Sequence, residues 1–101
     1  MSLGASELEI KEIIQIAQTW RLAGNFENAI EFFQKAISLA DSLGKEGEYT
    51  KAISLGYSAT AQLEKGSLED AIQNATTAKK LFENQGAIKD QNMAQQLISE
   101  I

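Results

Sequence analysis

Apolar residues recur along this chain at every third or fourth position, the spacing that places them on one face of an α-helix. Ile10, Ile13, Ile14, Ala17 and Trp20 form the first such stripe, and Ser6 with Glu9 completes an S-x-x-E capping box ahead of it. The pattern predicts a first helix from about Glu7 to Ala23. Gly24 then supplies a turn and Asn25 an N-cap, after which Phe26, Ala29, Ile30, Phe33, Ile37 and Ala40 trace a second stripe that ends before Gly44. A third stripe runs through Ala52, Leu55, Gly56, Ala59 and Leu63. Gly66 turns the chain, Ser67 is the expected cap, and Leu68, Ala71, Ile72, Ala75, Ala78 and Phe82 return before Gly86. From about Lys89 a fifth helix is expected, with Met93, Ala94, Leu97, Ile98 and Ile101 on one side and Gln91, Asn92, Gln95, Gln96 and Ser99 on the other.

The second pair of helices restates the first. Gly24, Glu27, Ala29, Ile30, Ala36, Leu39 and Gly44 recur as Gly66, Glu69, Ala71, Ile72, Ala78, Leu81 and Gly86, a register of 42 residues. Self-similarity at that period signals stacked helical units. Short connectors make sequential helices pack antiparallel, and each hairpin must bury a face against its neighbour. The expected organisation is a single domain over 1–101, with one unit over 7–44, a second over 48–86, and a capping or truncated helix over 87–101.

Composition narrows the chemistry. The chain has 101 residues and no proline, which favours uninterrupted helix, and its length allows one core, burying about 65% of the unfolded surface. Nine Lys and Arg against 14 Asp and Glu give a net charge of -5, which argues against a nucleic-acid partner. Cysteine is absent, so neither a disulfide framework nor thiolate chemistry is available, and a cytoplasmic setting is the default. The stretch from Met1 to Ala5 lacks the basic and apolar regions of a targeting signal. No segment approaches 18 consecutive apolar residues, so no membrane association is expected. Asn74, Ala75 and Thr76 match a glycosylation acceptor pattern inside a predicted helix, a match read as chance.

An enzyme reading finds little support. Histidine and cysteine, the side chains best suited to act as base or nucleophile near neutral pH, are both missing. Glu27, Glu31, Glu69 and Asp70 fall in the first turns of predicted helices, where negative charge complements the helix dipole. Gly44 to Gly47 has neither the spacing nor the preceding strand of a phosphate loop and reads as a helix-ending turn. Asp41, Glu46 and Glu48 around it lack the alternating oxygen ligands of a calcium loop. Lys79 and Lys80 sit toward a helix C-terminus, where cations are favourable. No catalytic residue, metal site or cofactor is expected.

In the register of its small and bulky positions the chain resembles the tetratricopeptide repeat family. Small residues stand at Ala17, Ala29 and Ala36 and again at Ala59, Ala71 and Ala78, and a glycine separates the two helices of each unit at Gly24 and Gly66. Helices approach closely only where a side chain stops at Cβ, with bulky neighbours filling the grooves. The bulky positions are Ile13, Ile16, Trp20 and Phe33 in the first unit, with Trp20 read as packing. The second offers Leu55, Ser58, Gln62 and Ala75, a weaker filling that local repacking, Tyr57, Phe32 or a partner must complete. Asp41 and Glu83 stand where the family usually places a closing proline, and the longer period resembles the extended repeats of kinesin light chains and bacterial signalling scaffolds.

The resemblance implies an all-α fold, a short right-handed superhelix or α-solenoid of about five helices. It also implies a protein-binding role on the concave face of the first helix of each unit. Its register selects Lys11, Ile14, Gln18 and Arg21 in the first unit and Ile53, Gly56, Tyr57 and Thr60 in the second, a groove suited to a peptide of some acidic character. A reading of these as ordinary solvated positions stands beside it. Ile14 and Gln18 occupy the places where family members that grip chaperone tails carry lysine and asparagine, so that carboxylate clamp is absent. Two roles remain: a scaffold or adaptor module binding a protein or peptide segment, and a self-assembly unit or scaffold fragment stacking as a homo-oligomer through its array ends. Under the second, Ile98 and Ile101 are the residues to test, and solvent-facing Gln91, Gln95 and Gln96 would mark the fifth helix as a cap.

Overall fold

A computed structural model describes residues 6–101. The expectation for Met1 to Ala5 lies outside the described residues. Five α-helices follow one another: α1 (Glu7–Leu22), α2 (Phe26–Ser42), α3 (Glu48–Lys65), α4 (Leu68–Asn84) and α5 (Ile88–Glu100). There is no strand among the described residues. The expected helix spans agree with these to within a residue or two.

The ends of the helices have local causes. Ser6 and Glu9 form the reciprocal capping box, and the Asn25 side chain accepts a hydrogen bond from the Asn28 amide at 3.2 Å. Gly24 and Gly66 adopt φ of 84° and 94°, a left-handed geometry in which a side chain would be strained, so the repeat-related turns both need glycine. Ser67 departs from expectation: it occupies the N-cap of α4, yet its side chain makes no capping bond. Gly44–Gly47 is a short 3-10 turn, and Gly47 is required there by contact, since a Cβ would collide with the carbonyl of Ala40.

Long-range bonds fix the directions of the helices. Glu7 accepts from Thr50 at 3.0 Å near the starts of α1 and α3, and Arg21 reaches Glu64 at 2.8 Å near their ends, so these two helices run parallel. Asp41 meets Lys51, and Glu27 meets Lys65, so α2 runs opposite to α3 between them. Lys79 donates to Gln95 and Gln91 to Glu83, which sets α4 antiparallel to α5. Tyr49 and Asp90 join the starts of α3 and α5.

The core is built from small residues around a few large ones. Ala17, Ala29, Ala36, Ala59, Ala71 and Ala78 are all fully buried, and Phe33 and Phe82 are the aromatic residues buried with them. One cluster joins Ile10, Ile14 and Ala17 of α1 to Ala29, Phe33, Ala36 and Ala40 of α2 and Ala61 of α3. A second joins Ala52 and Leu55 to Ala78, Phe82 and Ala94.

Several expected packing positions lie elsewhere. Trp20 and Ile16 are 37% and 46% exposed, whereas their counterparts one register later, Gln62 and Ser58, are 5% and 0% exposed. The reason is positional: α3 is flanked by α2, and no described element covers the corresponding face of α1. Leu68 and Ile72 of α4 and Met93 of α5 are likewise exposed despite belonging to apolar stripes. The amide face of α5 is partly engaged, since Gln91 and Gln95 bond to α4 while Asn92, Gln96 and Ser99 remain exposed. Asn74, the chance acceptor position, donates to Gln62 at 2.8 Å.

The weakly filled positions of the second unit, Ser58, Gln62 and Ala75, are all buried. Gln62 is satisfied by Asn74, but the Ser58 hydroxyl has no partner. A buried unsatisfied hydroxyl costs about 1–3 kcal/mol. Ser58→Ala is therefore expected to raise stability by about 1 kcal/mol in urea denaturation; a loss of stability would show that the hydroxyl is satisfied.

Candidate functional site

Helices α3, α4 and α5 leave a depression between them. Helix α3 contributes Ile53, Gly56, Tyr57 and Thr60, the four second-unit residues that the repeat register selects. Phe82 of α4 lies beneath, and Asp90, Met93 and Ala94 of α5 form the opposite wall. The cavity holds about 140 Å³ and is mainly apolar, with Asp90 as its one charged lining residue among the described residues.

Each wall has a local origin. Ile53, Gly56, Tyr57 and Thr60 share one side of α3 by their spacing of three and four residues. Thr60 turns its hydroxyl back to the Gly56 carbonyl at 3.1 Å, which leaves its methyl group available to the pocket. Tyr57 stands at the rim, its ring 6.0 Å from that of Phe33, and Tyr49 packs edge-on to Phe82 at 5.8 Å. Gly56 lies inside α3 without the left-handed φ that favours glycine, and a Cβ there would meet no atom within 4 Å.

Asp90 is held in place. The Tyr49 hydroxyl donates to its Oδ2 at 2.8 Å. That hydrogen bond, then burial, then the charge of the carboxylate raise the Tyr49 hydroxyl above its ordinary 10.0, with a smaller contribution from Tyr57. Asp90, Met93 and Phe82 were not among the site residues the sequence nominates. Phe82 and Met93 read there as packing positions, and the approach of Asp90 to Tyr49 depends on how α4 returns the chain between them.

The first-unit candidates are dispersed. Ile14 is buried in the core cluster of α1 and α2 rather than presented to a groove. Arg21 donates through Nε to Gln18 at 2.8 Å and through NH1 to Glu64 at 2.8 Å, so its charge is compensated inside the molecule. Lys11 is exposed and does not line the pocket. A wider depression at the α1–α2 turn, lined by Ala23, Gly24, Asn25, Phe26, Glu27 and Lys65, is open to solvent. Among the described residues no group of three or more Asp and Glu side chains is placed to hold a metal ion, and no helix is long and apolar enough to cross a membrane.

Comparison with protein-family models, with curated proteins and with solved structures returns no match to this chain.

Because the folded state holds the Tyr49 proton more tightly than the unfolded chain does, the bond to Asp90 contributes stability that is fully present below a pH of about 10. It is lost as pH rises through the folded value. In a Tyr57→Phe background, Asp90→Ala is expected to lower the Tyr49 midpoint, followed by phenolate absorbance. An unchanged midpoint would rule out the Asp90 bond as the cause.

Proposed function

We propose that this chain is a non-catalytic protein–protein interaction module of the tetratricopeptide type, holding a peptide or protein segment on the face formed by α1, α3 and α5. In this reading the helices form a short right-handed superhelix, an α-solenoid scaffold, that works in the cytoplasm. The observation that carries it is the pocket itself: the four α3 positions selected by the repeat register, Ile53, Gly56, Tyr57 and Thr60, line one cavity together. Apolar walls with a single charged group are the composition of a recognition pocket. The absence of histidine and cysteine from the sequence favours recognition over catalysis.

A second reading, self-association, draws on the other end of the array. Ile13, Ile16 and Trp20 occupy positions whose counterparts Leu55, Ser58 and Gln62 are buried in the next unit, yet Ile16 and Trp20 face solvent. Exposed aromatic and branched residues in line mark an association surface. At the opposite end Ile98 and Ile101 are half-buried and the outermost positions Asn92, Gln96 and Ser99 are polar, which suits a cap.

Two measurements separate these readings. Immobilised wild-type protein is expected to retain a partner from lysate that a Thr60→Lys variant of equal helicity releases; equal retention by both would move binding away from the α3 pocket. For self-association, sedimentation equilibrium should show an oligomer that Trp20→Glu converts to monomer and that Ile98→Asp leaves intact. A wild-type monomer at high concentration would exclude this second reading.

A further inference from the structure

We propose that the pocket between α3 and α5 receives the side chain of an arginine or lysine from the bound segment, with the aliphatic stem over Gly56 and the cationic head on Asp90. This inference rests on the interaction-module reading above and specifies what that module recognises.

Size sets the first limit. A cavity of about 140 Å³ is smaller than the roughly 300–1,000 Å³ of drug-sized sites. It is close to the roughly 150 Å³ of an engineered cavity that accepts benzene. One long or ring-sized side chain therefore fills it, and the remainder of the ligand must lie outside, along the helices.

Gly56 supplies the second argument. Glycine in a helix interior is about 1 kcal/mol less favourable than alanine. Elsewhere the structure shows what makes such a cost necessary: Gly47 has no room for a Cβ, and Gly24 and Gly66 have left-handed backbones. None of these conditions holds at Gly56, where the backbone is ordinary and the space beyond is empty. Neither packing nor backbone geometry accounts for the glycine. Its missing side chain is what gives the pocket depth, and an occupant from outside the chain is what would use that depth.

Charge identifies the occupant. Among the described residues Asp90 is the one charged side chain lining the pocket, and no lysine or arginine accompanies it. Tyr49 binds Oδ2 and orients the carboxylate, leaving its other oxygen to accept from a ligand. A neutral apolar side chain would desolvate that carboxylate without compensation, and an acidic one would be repelled. A cation on an aliphatic stem satisfies both the walls and the charge. Tyr57, exposed in the lining, is an aromatic partner on which a guanidinium can stack, and the net charge of -5 draws cationic segments toward the protein. The family resemblance implies an acidic ligand through Lys11 and Arg21, but Glu64 already compensates Arg21 and neither residue lines this pocket.

A random peptide library displayed on phage tests the proposal, selected in parallel on the wild type, Gly56→Leu and Asp90→Asn, each checked for helicity by circular dichroism. Gly56→Leu fills the cavity from within; Asp90→Asn keeps its shape and removes the charge. Peptides enriched on the wild type are expected to share an arginine or lysine and to be lost on both variants. For a synthetic peptide from that pool, replacing the basic residue with norleucine, or Asp90 with Asn, is expected to weaken binding by about tenfold or more, the value of a charged hydrogen bond. Exchanging arginine for lysine in that peptide assigns which cation is preferred. Enriched peptides that lack a common basic residue, or that bind Gly56→Leu or Asp90→Asn as well as the wild type, would overturn the cation pocket while leaving the module reading standing. If the wild type enriches no peptide, both readings fail.

Discussion

Close approach of helices at alanine is the constraint on which this structure depends. Six repeat-related alanines, from Ala17 to Ala78, are completely buried, and a side chain that stops at Cβ is what lets neighbouring helices approach closely. Replacing any of them with a larger residue would force the helices apart and with them everything the stack positions. The close spacing is also what lets side chains one unit apart reach each other. Thr50 meets Glu7 and Arg21 meets Glu64 across 43 residues, and Tyr49 meets Asp90 across 41. These three contacts link α1 to α3 and α3 to α5, the last two being the helices that supply most of the pocket's lining.

Much of this organisation is legible from sequence because it depends on local chemistry. The three- and four-residue spacing of apolar positions locates the helices, and Ser6 with Glu9 and Asn25 begin the first two through bonds within a single turn. Glycines at 24 and 66 mark turns whose backbone geometry requires them. What sequence does not show is which face of a helix is covered. Trp20 and Gln62 occupy equivalent repeat positions, yet the tryptophan is exposed and the glutamine buried, because α2 stands against that face of α3 and no described element stands against the corresponding face of α1. Residue type alone would order them the other way. Ser67 shows the converse limit: a residue of capping type in a capping position leaves its side chain unbonded.

The candidate site divides along the same line. Ile53, Gly56, Tyr57 and Thr60 share a face of one helix, a matter of periodicity, and the family resemblance is what singled out that face. The first-unit positions depended on long-range partners that register does not encode. Ile14 turned inward to the core, and Arg21 found Glu64. Asp90 escaped notice for the same reason, since its importance comes from Tyr49 and from the return of α4 and α5, not from its neighbours in sequence. In sequence Gly56 is one member of a helical stripe and of the groove the resemblance implies; the structure adds that a Cβ there would meet open space.

Gly56 leaves open space beside α3 at some expense in helix stability. Urea denaturation of Gly56→Ala against the wild type puts a number on that expense. A gain of about 0.5–1 kcal/mol with an unchanged dependence on denaturant is expected, because alanine is the better helix former and its methyl group meets open space. A loss of stability would contradict it, by showing that the glycine serves the packing of α3 and that the cavity is not free for a ligand.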